Sequence, residues 1–185
     1  QLTGAIVVDA PGQPAADRIF VMGMWTDTVG RAYTRRARLL AVINGRSWPH
    51  TEKLSHSVGD SVRWRVINAS SDAHPMHLHG FYFRVEAFDG APAAVQAASP
   101  PGRMVVTERM GPFTSMTLAW VPERAGNWIF HCHFQAHAAP HRPLGPAATP
   151  SAAANHAHDD HATRAMGGLV VGIHVRARDA TPTAT

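Results

Sequence analysis

The chain's only cysteine, Cys132, stands between two histidines in the run Gly126-Asn127-Trp128-Ile129-Phe130-His131-Cys132-His133-Phe134-Gln135-Ala136-His137. Successive side chains of an extended strand point to opposite faces, so the sulfur serves one site and the flanking imidazoles another. A second cluster, His74-Pro75-Met76-His77-Leu78-His79-Gly80, puts His77 and His79 on one strand face, with His74 nearer the strand's start. The arrangement has the geometry of a wire: a thiolate-bound metal on one side is joined through a few backbone bonds to a histidine-bound metal on the other.

The ligand types point to the metal. One soft thiolate with two imidazoles, and a weak thioether as a distant fourth ligand, describes an electron-transfer copper site of the blue type, whereas structural zinc usually draws on more thiolates. Cys132 can supply the sulfur, and His74 and His137 the nitrogens. His77, His79, His131 and His133 remain on the opposite side, and four imidazoles without a thiolate suit copper that meets dioxygen.

The paired motifs His-Pro-x-His-Leu-His-Gly and His-Cys-His-x-x-x-His resemble the copper signatures of the multicopper oxidases, the laccase-like family; Gly126-Asn127-Trp128 and Asp89-Gly90 fit the same pattern. The resemblance implies His74, Cys132 and His137 as type 1 copper ligands and His77 as a type 2 ligand. His79, His131 and His133 would then bind the two type 3 coppers. It also implies a cupredoxin fold and a site in the periplasm or outside the cell.

The sequence departs from the family at the axial ligand. A methionine or apolar residue is common five positions after the last motif histidine, but Arg142 stands there, and a permanently protonated guanidinium cannot ligate. The expected ending recurs later as Met166-Gly167-Gly168-Leu169-Val170-Val171-Gly172-Ile173, as if 138–165 were an inserted loop. Met166 is therefore the expected axial ligand. Within the insertion, His156, His158 and His161 surround Asp159 and Asp160; they read either as a polar surface excursion or as an accessory copper site.

The resemblance also bears on what the chain lacks. A three-copper cluster of this family draws on eight histidines, and the motifs here supply four. The segment Gln1-Leu2-Thr3-Gly4-Ala5-Ile6-Val7-Val8-Asp9 resembles the closing strand of a preceding cupredoxin domain, which gives the expected division: 1–12 as remnant and linker, 13–178 as the copper-binding domain, and 179–185 as tail. This organisation is similar to two-domain oxidases, in which the oxygen-reducing cluster forms between subunits of a homotrimer. The missing ligands would come from an upstream domain or a neighbouring subunit carrying two His-x-His motifs. The implied activity is oxidation of a small reducing substrate (a phenol, an aromatic amine or a metal ion) at the type 1 copper, with electrons passing through Cys132, His131 and His133 to a cluster that reduces O2 to water. Two other classes compete: a single-copper electron carrier, which leaves the His-x-His pairs without purpose, and a copper-sequestering protein, which would use the His-rich loop.

The elements that position these residues read as short strands. Among 185 residues, Gly and Pro punctuate apolar runs, and no long stretch of helical period occurs. Strands are expected over 2–8, 18–24, 39–43, 61–66, 81–87, 104–107, 115–120, 127–131 and 169–175; Val62, Trp64 and Val66 share one face, with Arg63 and Arg65 on the other. This spacing indicates an all-β Greek-key sandwich or barrel with a long loop before its last strand. No run approaches the ~20 apolar residues of a membrane span, and no signal peptide is read at Gln1. Net charge is +4, from 17 Lys and Arg against 13 Asp and Glu, but the arginines lack the aromatic interleaving of a nucleic-acid face, so no nucleic-acid partner is expected.

Overall fold

The structure, a computed structural model, describes residues 4–9, 11–12, 14–27, 38–90, 101–139 and 166–178. Arg142 and the His156, His158 and His161 cluster lie outside them, as does most of the Ala- and Pro-rich stretch 91–102.

Among the described residues, eleven strands form two sheets. The first has the order β2 (Arg38–Ile43), β1 (Arg18–Asp27), β4 (Val62–Asn68), β9 (Ser115–Trp120), β6 (Phe83–Asp89) and β7 (Met104–Val105). The second runs β3 (Lys53–Ser57), β11 (Val170–Arg176), β10 (Gly126–Cys132), β5 (His74–Leu78) and β8 (Thr107–Met110). Parallel pairing joins β1 to β4 and β3 to β11, and the other ladders are antiparallel. The all-β expectation holds, and of sandwich and barrel the two-sheet arrangement is the one found.

Alternation builds the core. Strand β4 alternates buried Val62, Trp64 and Val66 with partly exposed Arg63 and Arg65. The two arginines are ion-paired on the outer face, Arg63 to Glu86 at 2.7 Å and Arg65 to Asp9 at 2.6 Å. Inside, the Trp64 ring meets Phe20, Trp120 and Phe130 at centroid distances of 5.2 to 5.4 Å, so aromatic contacts tie one sheet to the other. Leu54, Met76, Leu78, Met110, Phe130, Cys132, Val171, Ile173 and Val175 are the second sheet's share of this core.

The strand expected over 104–107 is two strands. Met104–Val105 pairs with β6 in the first sheet and Thr107–Met110 with β5 in the second, so the chain changes sheets at Val106. Residues 4–9 form no strand: they lie over the outer face of the first sheet, with Ile6 95% and Val8 86% exposed. An apolar alternating segment becomes a strand only where an edge offers it hydrogen bonds, and this segment has no ladder partner among the described residues. Strand β3 was not expected, because Lys-Leu-Ser-His-Ser carries a single strongly apolar residue.

Candidate metal centre

Strands β5 and β10 are antiparallel neighbours in the register Phe130↔Leu78, His131↔His77 and Cys132↔Met76. That register decides which side chains meet. His74, Met76, Leu78, Phe130 and Cys132 turn inward and are buried, whereas His77 and His131 face each other on the outside, followed on that face by His79 and His133. Position 74 has the opposite parity to 77 and 79, so the first histidine joins the sulfur and not its own motif neighbours.

On the inward side His137 completes a set of three. After β10 the chain folds into a short 3-10 turn, Gln135–His137, closed by the His137 N–H donating to the Phe134 carbonyl at 2.9 Å. This returns the imidazole over Cys132. Cys132 Sγ lies 3.8 Å from His74 Nδ1 and 3.7 Å from His137 Nδ1, and the two Nδ1 atoms are 3.1 Å apart. Among the described residues, these three alone form a cluster of at least three His, Cys, Asp or Glu side chains with one ligand atom each within 4.8 Å.

Burial sets the charge of this pocket. It pushes the Cys132 thiol up to about 11 and holds His74 down to about 4, the neighbouring His137 adding to the depression and Asp72 opposing it. His137, partly buried beside the exposed Phe134 ring, is lowered for the same reason. A neutral imidazole pair beside a thiol that ionises only against a compensating cation suits a soft metal, and this donor set fits copper.

The end of the sequence meets this turn. Gly167 N–H donates to the Ala138 carbonyl at 3.0 Å, Leu169 N–H to the His137 carbonyl at 2.9 Å, and Cys132 N–H to the Leu169 carbonyl at 3.0 Å. Half-buried Met166 is therefore one residue from a backbone bond to the His137–Ala138 turn, and the two ends of the expected insertion lie side by side.

On the outward side the four imidazoles cluster. Ring centroids of His77 lie 4.8 Å from His79, 5.7 Å from His131 and 5.1 Å from His133. His131 Nδ1 donates to the Cys132 carbonyl at 2.9 Å, which leaves its Nε2 lone pair directed at His79 Nε2, 2.9 Å away. Burial depresses all three of His77, His79 and His131, the last to about 4.

Sequence reasoning missed the residues that hold these imidazoles. Thr107 Oγ1, across the β5–β8 ladder, lies 2.7 Å from His77 Nδ1. Arg124 bonds the Gly80 carbonyl just past the first motif and stacks over the rings of Phe81 and Trp128 at 5.6 and 5.1 Å. The motif's glycine is explained by the same packing: its φ is +79°, and a Cβ there would collide with the Trp128 ring. Phe134, whose ring packs against His137, is 45% exposed. His174 and His50 stand apart from both clusters, His174 bonding Asn127 at 2.8 Å.

Comparison with known proteins places the chain in a family. A family model described as Multicopper oxidase matches residues 13–141. The chain is 27% identical over 146 residues to a probable nitrite reductase-hydroxylamine oxidoreductase fusion protein of Kuenenia stuttgartiensis, covering 74% of this chain and 16% of that one. It is 30% identical over 105 residues to Laccase-2 of Pleurotus ostreatus, covering 54% and 20%. Its fold is similar to that of the Blue Copper Oxidase from Nitrosomonas europaea, with a TM-score of 0.59 and 20% identity, covering 85% of this chain and 42% of that one. It thus spans a fifth or less of the length of these curated relatives and under half of the solved one. Copper is the cofactor this family implies and the one the donor set fits, and the chain, a cupredoxin domain by fold, belongs to the multicopper oxidases.

Proposed function

We propose that the chain is the electron-entry domain of a multicopper oxidase and supplies half of its oxygen-reducing site. The observation that carries this reading is the division of ligands across one register-locked strand pair: Cys132, His74 and His137 on the buried face, and His77, His79, His131 and His133 on the other. In this reading the first three are the type 1 ligands, with Met166 as the axial fourth. His77 serves a type 2 copper and His79, His131 and His133 the type 3 pair. Copper held by these residues supplies one-electron redox chemistry.

The chain's own contribution is position and path. Cys132 and its neighbours His131 and His133 are the covalent link between the two faces. His137, less buried than His74, is the nearer of the two inward imidazoles to a reducing substrate such as a phenol, an aromatic amine or a metal ion. Exposure of His79 and His133 leaves the outward cluster open to a second set of imidazoles. Beside His79 lies a largely apolar cavity of about 540 Å³, walled by Trp48, Trp128, Ile129 and Ile173, which suits the seating of another domain. The bare apolar side chains of Ile6 and Val8 agree with 1–12 being the last strand and linker of such a domain, 13–178 being the copper-binding domain with 138–165 inserted, and 179–185 a tail. A homotrimer would bring the two halves together between subunits, in the periplasm or outside the cell; no helix among the described residues is long and apolar enough to cross a membrane.

Copper loading of the full chain tests the reading. One intensely blue copper per chain is expected, lost in Cys132→Ser. Adding a domain with two His-x-His motifs should then bring near-ultraviolet type 3 absorption and oxygen uptake. A blue copper without either change would make the chain an electron carrier, and bound copper without blue colour would make it a sequestering protein.

A further inference from the structure

Behind His74, on the side away from Cys132, lies a buried polar relay. His74 Nε2 is 2.8 Å from Ser70 Oγ, and Ser70 Oγ is 2.8 Å from Asn68 Oδ1. The Asn68 amide nitrogen reaches two backbone carbonyls, those of Asp72 and Gly111, each at 2.7 Å. All three side chains are buried: Asn68 and His74 are 0% exposed and Ser70 6%.

These contacts allow one direction of donation. Two carbonyls can only accept, so the Asn68 NH2 group faces them and its Oδ1 faces Ser70, where the Ser70 backbone N–H also donates to it at 3.0 Å. Ser70 therefore spends its hydroxyl proton on Asn68, the Asp72 carbonyl at 3.4 Å being the longer alternative. Its oxygen then presents lone pairs to His74 and to the Asp72 N–H at 3.3 Å. A hydroxyl lone pair facing Nε2 calls for a proton on that nitrogen. The His74 imidazole is thereby held with Nε2 protonated and with the Nδ1 lone pair open toward Cys132 and His137.

We propose that Ser70, oriented by Asn68, is a positioning residue for the inward metal site, fixing the tautomer and rotation of His74 before any metal binds. The proposal rests on the reading of His74 as a copper ligand. Outer partners of ligating histidines fix ring orientation and raise ligand basicity, and losing one typically costs about 10–100-fold in metal affinity. The serine hydroxyl, accepting from Nε2–H, makes Nδ1 the stronger donor and favours the oxidised metal.

Nitrogen-15 NMR of the metal-free full-length chain reads the tautomer directly, and titration with copper(II), followed by visible absorption, reads the affinity. The wild type is expected to show His74 protonated at Nε2. Ser70→Ala is expected to mix the tautomers, weaken copper binding roughly 10–100-fold and raise the reduction potential, whereas Ser70→Thr, which keeps the hydroxyl, restores all three. A wild type protonated at Nδ1 overturns the relay whatever the variants do. Ser70→Ala equal to wild type in tautomer and affinity overturns the positioning role alone. A wild type that shows the Nε2 tautomer but takes up no copper overturns the ligand reading, and with it the positioning role.

Discussion

At Gly168 the chain turns with φ +67° directly against the His137 carbonyl, the oxygen that accepts from Leu169. A Cβ there would run into that oxygen and crowd Ala41 at 3.2 Å. Gly168→Ala must therefore move the turn that carries His137. The expected result is a loss of roughly 1–3 kcal/mol in chemical denaturation and a weaker blue band on copper loading. Stability within about 0.5 kcal/mol of wild type, with an unaltered band, would show that the turn gives way at no cost. Met166, two residues earlier, is tested by Met166→Leu. Removing a weak thioether from a blue copper should raise its reduction potential while keeping the colour. An unchanged potential takes Met166 out of the ligand set. The division of the motif residues between two strand faces was legible in the sequence because spacing and strand parity sort them. Ser70, Asn68, Thr107 and Arg124 obey no such rule, since tertiary pairing of loops and neighbouring strands brings them to the histidines.

Strand β5 carries both sites. Its inward residues His74, Met76 and Leu78 belong to the core and the sulfur side, while its outward His77, with His79 just beyond the strand, belongs to the other. Packing of the inward row therefore sets the register of the outward one, since a slip of one residue would exchange the faces. Leu78, fully buried opposite Phe130, is the place to test this. Leu78→Ala is expected to cost about 2–5 kcal/mol and to weaken the blue band on copper loading, as measured by denaturation and by visible absorption. A large loss of stability with the blue band intact would separate register from core packing. Much of this level was readable: alternation in 62–66 and apolar punctuation located most strands. Strand β3 was not, because its parallel partner β11 supplies the order that its own composition lacks. Nor was the sheet change at Val106, where one apolar run feeds two ladders.

For the molecule as a whole, buried neutral imidazoles make stability depend on pH. His56 on β3 packs edge-on against Trp120 at 5.6 Å and tilts toward Trp64 at 6.4 Å. Burial lowers its pKa, Asp60 and Asp17 oppose the shift, and Arg18 adds to it. In the metal-free chain His74 and His131, held at about 4, behave alike. Each group binds fewer protons folded than unfolded in the interval below 6.5, so unfolding takes up protons there and stability rises with pH. The contribution is fully present above the unfolded value of 6.5 and is lost as pH falls toward the folded values. Asp60, lowered mainly by the Ser57 N–H with Arg178 assisting, acts in the same direction but only below the ordinary carboxylate range. Denaturation of the metal-free chain between pH 7 and 4 should therefore show a steep fall in stability. His56→Gln should make that fall shallower by up to one proton, about 1.4 kcal/mol per pH unit at the steepest point. Copper loading should flatten it further, because a metal on Nδ1 of His74 competes with the proton. A slope identical in His56→Gln and wild type would mean that His56 already titrates normally in the fold, and that its place between the tryptophans is open to water.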